Sequence, residues 1–155
     1  MTTITPRVFT TLDDITAAIG SDLGSGEWLE ITQDRINAFA DATGDHQWIH
    51  VDPDRAAAGP FGAPIAHGYL TLSLLPLLAG SIFTVEGPKL VINYGLNKVR
   101  FVNPVTVGSR IRSNAVIVSV EETRKGVNLV VRNTVEIEGS DRPACVAENV
   151  RVLVY

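Results

Sequence analysis

The sequence predicts an α+β fold in which an antiparallel sheet wraps around one apolar helix. The residue pattern changes near position 85, from helix-like spacing before it to strand-like alternation after it. The segment 67–80 is apolar nearly all round, and a helix without a polar face must be surrounded by protein. Long strand candidates separated by turn residues follow this segment. Together these observations favour a sheet that encloses the helix.

Capping residues set the bounds of the helices in the first half of the chain. Thr32 is a good N-cap and Gly44 a good stop, which predicts a helix over 33–43. Asp52 as cap, with Pro53 at the first helical position, starts another helix. That helix is predicted over 53–58. The same kinds of signal predict two further short elements, a helix over 11–19 and a strand over 27–31.

The second half begins with the apolar helix, which Pro76 should kink in its last turn. Turn chemistry at Arg124-Lys125-Gly126 and at Gly139-Ser140-Asp141 predicts that the strands run as an antiparallel meander. The predicted strands are 89–101, 109–122, 127–138 and 144–155.

Length and composition exclude several classes of protein. The 155 residues have the usual size of one compact domain, expected over 1–155, and 45% hydrophobic residues exclude a disordered tail. A lone cysteine, Cys145, cannot form an internal disulfide and fits a strand interior better than a nucleophilic site. The net charge of −4 has the wrong sign for a general nucleic-acid binder.

Membrane insertion and secretion are also not expected. The longest apolar stretch, 69–78, is too short to cross a bilayer, and the first residues lack the pattern of a signal peptide. We therefore expect a cytoplasmic protein with no membrane partner.

The polar loop 44–52 is the densest group of residues that can carry chemistry, and it holds two of the three histidines. In one interpretation Asp45 and His50 orient and deprotonate a water as an acid/base pair. In another, the aspartates are turn and cap residues and the histidines lie on the surface. A third makes a metal site of Asp45, His46, His50 and Asp52, although this needs a helix where the sequence indicates a loop.

Two further positions are candidates for binding a substrate. Gly68 lies at the start of the apolar helix, where a free backbone N–H can meet an oxyanion, or where a small residue merely permits tight packing. Lys98 and Arg100 share one side of a strand, and they either contact phosphates or form a solvated strand face.

The loop and the helix start together resemble a known family. Residues 39–52, including Gly44-Asp45-x4-His50, resemble the hydratase motif of the MaoC-like (R)-specific enoyl-CoA hydratases. Further segments carry the resemblance over nearly the whole chain beyond about Trp28: 65–70 (Ile-Ala-His-Gly-Tyr-Leu), 93–101, Pro104-Val105 and Gly108-Ser109. Within the family, the chain is most similar to single-domain actinobacterial hydratases grouped with nodulation protein N-like sequences.

The resemblance implies a hot-dog fold and the reversible hydration of trans-2-enoyl-CoA to (3R)-hydroxyacyl-CoA. It implies that Asp45 and His50 hold the catalytic water and that the Gly68 N–H binds the thioester oxygen. It implies no metal and no redox cofactor, since the substrate itself carries the coenzyme A. Because active sites of this fold lie near a dimer interface, it also implies a homodimer.

The chain departs from the family pattern at two places. Gln47-Trp48 stands where many relatives have Asn-Pro, and Pro76 stands where some have a helix serine. Two alternative functions stay open: a hot-dog acyl-CoA thioesterase, and an acyl-CoA-binding protein without catalysis.

Overall fold

The computed structural model describes residues 4–155. Its helices and strands follow one another in this order: β1 (Arg7–Phe9), α1 (Leu12–Ala17), β2 (Asp22–Ser25), β3 (Leu29–Glu30), α2 (Gln33–Thr43), α3 (Trp48–Val51), α4 (Pro53–Ala57), α5 (Gly68–Ser73), α6 (Leu75–Gly80), β4 (Phe83–Val85), β5 (Leu90–Phe101), β6 (Arg110–Thr123), β7 (Gly126–Ile137) and β8 (Cys145–Val154).

The main sheet is antiparallel and has the strand order β2-β6-β7-β8-β5, with β3 also paired to β6. A separate pair joins β1 to β4 in parallel. The four long strands end within one residue of the predicted positions. The α+β class with a hot-dog sheet is therefore confirmed.

The predicted meander is correct for β6, β7 and β8 but wrong for β5, which pairs with β8 instead of β6. The connection 102–109 does not form a hairpin, because its backbone is bonded to the segment before α5. The Ala66 N–H donates to the Val105 carbonyl, and the Val107 N–H donates to the Pro64 carbonyl. This pairing carries the chain across the sheet, so β5 and β6 lie apart.

The shorter elements differ more from the predictions. The helix 33–43 is confirmed with its Thr32 cap, and the Asp52 side chain accepts the Arg55 N–H as the predicted cap of α4. The helix over 11–19 ends earlier, at Ala17. The strand over 27–31 shrinks to β3, while β1, β2 and the single turn α3 were not predicted. Short segments like these depend on contacts with distant strands, which local patterns do not report.

The central helix is broken, and one chain does not surround it. Pro76 has no N–H for the Leu72 carbonyl, and the helix divides at Leu74 into α5 and α6. Tyr69 and Leu77 are 70% and 56% exposed, so the expectation of full enclosure is wrong for the single chain. Beside this face runs β5, an edge strand with apolar residues exposed along its length: Leu90, Val91, Ile92, Tyr94, Leu96 and Phe101.

Most of the buried apolar side chains lie in two clusters. One cluster packs α5 and α6 against the sheet, with Leu70, Leu75 and Val135 among its members. The other packs α1 and the β1–β4 pair against the opposite end of the sheet. Among the helices within residues 4–155, none is both long and apolar enough to span a bilayer.

The turn between β6 and β7 gives a prediction about stability. Gly126 has a φ of +137°, and a Cβ there would clash with the Leu153 carbonyl oxygen. Gly126→Ala should lower the free energy of unfolding by about 3 kcal/mol or more, because strain and a backbone clash add. Gly139 has a φ of +78° but open space around it, so Gly139→Ala should cost only about 1 kcal/mol.

Urea denaturation of both variants at one protein concentration checks this difference. Equal losses of stability in the two variants would contradict the described packing of β7 on β8.

Candidate active site

Asp45 lies directly after α2, which ends at the left-handed Gly44. Its side chain is exposed, and its Oδ1 accepts the Gln47 N–H at 3.3 Å. Its own carbonyl oxygen turns inward and accepts a hydrogen bond from His67. The backbone of Asp45 is thus anchored, while its carboxylate keeps room for another partner.

His50 lies on α3 and is only 6% exposed. Its Nδ1–H donates to the Ile65 carbonyl at 2.6 Å, since a carbonyl can only accept. The pKa of His50 is lowered, chiefly by burial and further by the nearby His67, against smaller raising effects of Ile65 and Asp45. The imidazole is therefore neutral at pH 7, and its Nε2 carries a lone pair.

His67 is the functional candidate that the sequence analysis did not assign. It is 2% exposed, and its Nε2–H donates to the Asp45 carbonyl at 2.9 Å. Its ring stacks on His50, with centroids 3.8 Å apart and planes inclined by 24°. The contacts of His67 are to residues far from it in sequence, which a sequence pattern does not show. Only its place before Gly68 in the motif could have indicated a role.

These three side chains form one cluster. A carboxylate oxygen of Asp45 and one ring nitrogen each of His50 and His67 all lie within 4.8 Å of one another. Two acceptors about 5 Å apart can share one water, because each hydrogen bond from the water spans about 2.8 Å. The arrangement of Asp45 and His50 thus suits the acid/base interpretation. The surface interpretation is wrong for His50, which is buried.

Two of the four ligands that the metal interpretation predicts, His46 and Asp52, have other partners. His46 Nε2 pairs with Asp41 Oδ1 at 2.9 Å, a hydrogen bond that raises the pKa of His46, and Asp52 caps α4. The remaining donors suit an ion poorly, because the rings of His50 and His67 are stacked in planes inclined by only 24°. One ion cannot lie in both ring planes at the roughly 2.1 Å that Zn–N bonds need.

Gly68 begins α5, and no acceptor within residues 4–155 takes its N–H. A Cβ on Gly68 would lie 3.1 Å from the Phe101 ring, so tight packing also requires a small residue here. Both interpretations of Gly68 are therefore compatible with the geometry. A cavity of about 230 Å³ opens beside it, lined by Ile65, Thr71 and Phe101 among others.

The cavity beside Gly68 belongs to a groove between the central helices and β5. Further along the groove lies a larger cavity of about 410 Å³, with lining residues from α5, α6 and β5. Leu72, Pro76 and Leu96 give this second cavity an apolar lining, and Asn93 and Asn149 add carboxamides.

Lys98 and Arg100 do not join this cluster within one chain. In the register of β5 on β8, Lys98 lies opposite Glu148 and Arg100 lies opposite Val146. This register places both side chains on the outer face of the sheet. Phe101, next along β5, faces the helices and covers Gly68. Contacts of Lys98 and Arg100 with phosphates stay a prediction, which the geometry of one chain does not favour.

Two other residues have structural roles. The Trp48 ring packs against Gly59, where a Cβ would lie 2.8 Å from it, and the Arg55 guanidinium covers it at 4.4 Å. The bulky Trp48, which departs from the family pattern, is thus accommodated by packing on α4 and the residues just after it. Cys145 is fully buried, and burial raises the pKa of its thiol to about 11, as expected for a structural cysteine.

Comparison with known proteins agrees with this geometry. The family model described as "MaoC like domain" matches residues 14–138. The 3-hydroxyacyl-thioester dehydratase Z of Mycobacterium tuberculosis is 59% identical over 145 residues, covering 93% of this chain and 96% of that protein. Nodulation protein N of Rhizobium meliloti is 44% identical over 152 residues, covering 93% and 91%.

A solved structure shares the architecture. The (R)-hydratase from A. caviae, involved in PHA biosynthesis, has a TM-score of 0.67 and 26% identity, covering 83% of this chain and 95% of that one. The family model alone spans well over half of the chain. The chain therefore belongs to the MaoC-like domain family and is a hydratase/dehydratase of that family.

Proposed function

We propose that this enzyme is an (R)-specific enoyl-CoA hydratase, which reversibly adds water to trans-2-enoyl-CoA to give (3R)-hydroxyacyl-CoA. The observation that carries the proposal is the Asp45–His50 pair, in which a carboxylate oxygen and a ring nitrogen lie within 4.8 Å of each other. The relatives named as a thioester dehydratase and an (R)-hydratase support it. No metal and no redox cofactor enter the proposed reaction.

In the proposed mechanism one water donates its two O–H groups to Asp45 and to the Nε2 of His50. Asp45 acts as the base while the water oxygen bonds to C3, and His50 helps to deliver the proton to C2. Because neutral His50 offers only a lone pair at Nε2, it first accepts the proton that Asp45 has taken from the water and then passes this proton to C2, while the other hydrogen of the water stays on the new C3 hydroxyl. One water is consumed, and both side chains return to their starting states.

Gly68 would stabilise the charge that builds up on the thioester oxygen. As water adds at C3, electron density moves to this oxygen, and a fixed N–H lowers the energy of that state. The acyl chain would then follow the groove between the central helices and β5, where residues of both elements line the two cavities.

The working unit proposed here is a homodimer that acts in the cytoplasm. The exposed apolar residues of β5, together with Tyr69 and Leu77, form an uncovered surface next to the groove. Exposed apolar edge strands pair readily with another chain, and a second copy would supply the missing cover.

The two rival functions fit the site less well. A thioesterase needs water to attack the thioester carbonyl, whereas the Gly68 N–H and the acid/base pair here suit addition to a conjugated double bond. A binding protein without catalysis has no use for a neutral, buried His50 beside a carboxylate.

Removal of either acid/base group should abolish most of the hydration activity. With crotonyl-CoA as substrate, Asp45→Asn and His50→Gln should each lower kcat on the order of 10²- to 10⁴-fold. His46→Gln is the matched control, because His46 lies in the same loop but pairs with exposed Asp41 outside the cluster. Its kcat should stay near that of the wild type.

Loss of absorbance of the conjugated thioester measures hydration, and a thiol reagent in parallel detects hydrolysis. If folded Asp45→Asn and His50→Gln keep near-wild-type turnover, the proposed mechanism is wrong. Release of free thiol at the rate of substrate loss would instead establish the thioesterase. Binding of acyl-CoA without turnover would establish the binding protein.

The proposed dimer predicts that one charge on β5 disrupts assembly. In sedimentation experiments the wild type should have the mass of two chains, and Ile92→Asp should shift this toward one chain because a buried carboxylate is costly. Ile19→Asp is the control, since Ile19 is 41% exposed and Ile92 46%, but Ile19 lies away from β5. A wild type with the mass of one chain would exclude the proposed dimer.

A further inference from the structure

We propose that His67 is a positioning residue, whose imidazole sets the separation of Asp45 and His50 through one contact to each. The inference rests on the proposed function for its kinetic test, but the contacts themselves can be tested without activity. His67 is 2% exposed and lies beneath the two residues that would hold the water.

The first contact anchors the backbone of the loop. The Nε2–H of His67 donates to the carbonyl of Asp45, which is 22 residues away in sequence. Asp45 and its next two neighbours, His46 and Gln47, are exposed. The His67 hydrogen bond thus ties this exposed stretch to the buried start of the central helix.

The second contact fixes the plane of His50. The two imidazoles are stacked with centroids 3.8 Å apart, and the ring of Phe39 also packs on His67 at 5.0 Å. His50 is held at its own Nδ1 by Ile65, and the stack restrains the remaining rotation of the ring. Its Nε2 is thereby kept at a constant angle to the carboxylate of Asp45.

The unused nitrogen of His67 explains why the residue positions others and does not transfer protons. With the proton on Nε2, Nδ1 carries a lone pair, and it is buried without a hydrogen-bond partner within residues 4–155. A group that shuttled protons would need access to water or to a donor. The imidazole combines a flat ring for the stack with an N–H donor at the ring's far end.

Two substitutions separate the contacts. His67→Phe keeps a ring over His50 but loses the donor, and His67→Gln keeps an amide donor but loses the ring. We expect His67→Phe to lower kcat for crotonyl-CoA by about 10- to 100-fold, as misplacement of a reacting group does, with KM changed by less than about twofold. His67→Gln should recover part of kcat, because it restores the anchor of Asp45.

A double-mutant cycle tests whether His67 acts through Asp45. In an Asp45→Asn background, His67→Phe should cause little further loss, because the group it positions is already disabled. Ile117→Val, a buried change in the other core cluster, is the control for lost stability and should leave kcat unchanged. Full multiplication of the two losses would overturn the inference, as would wild-type kcat in a folded His67→Phe.

Nuclear magnetic resonance gives a readout that does not depend on hydration. The chain has three histidines, so ring nitrogen signals are assigned by comparing single variants. We expect the Nε2 of His67 to carry a proton, as its hydrogen bond to the Asp45 carbonyl requires, and His67→Phe to shift the backbone amide signals of His46 and Gln47. A proton on Nδ1, or unchanged amide signals, would overturn the inference even if the enzyme proves to have another activity.

Discussion

The site depends on two buried imidazole N–H groups that donate to backbone carbonyls. His50 binds the carbonyl of Ile65, and His67 binds that of Asp45, so each histidine joins its own segment to the other. Together with the Ile65 N–H bonded to the Ile49 carbonyl, they fasten the polar loop to the start of the central helix. A hydrogen bond to a carbonyl also fixes the tautomer of each ring, because a carbonyl can only accept. The free lone pair on His50 Nε2 follows directly from this constraint.

Packing of the central helix connects this site to the rest of the fold. The Pro76 break and the open groove leave Tyr69 and Leu77 uncovered, and the edge strand β5 stays exposed beside them. Gly68 and Phe101 line the cavity of about 230 Å³ in this groove. The surface that one chain leaves open thus lies beside the proposed substrate path, as the proposed homodimer requires.

Local signals predicted much of the fold and the two principal site residues. Thr32 and Gly44 bound α2 as expected because capping acts within a few residues, and alternation gave the long strands to within one residue. The place of β5 at the far edge of the sheet was not predictable in this way, since it is set by pairing of the 102–109 connection with the segment before α5. His67 was missed for a related reason: both of its contacts are to residues far from it in sequence.

The stereochemistry of hydration tests the central claim most directly. If one water held by Asp45 and His50 supplies both the hydroxyl and the proton, both add to the same face of the double bond. Hydration of crotonyl-CoA in D₂O, followed by chiral analysis and proton NMR of the product, measures this. The account predicts (3R)-3-hydroxybutyryl-CoA with one deuterium placed at C2 by syn addition. Anti addition, or the (3S) product, would contradict it.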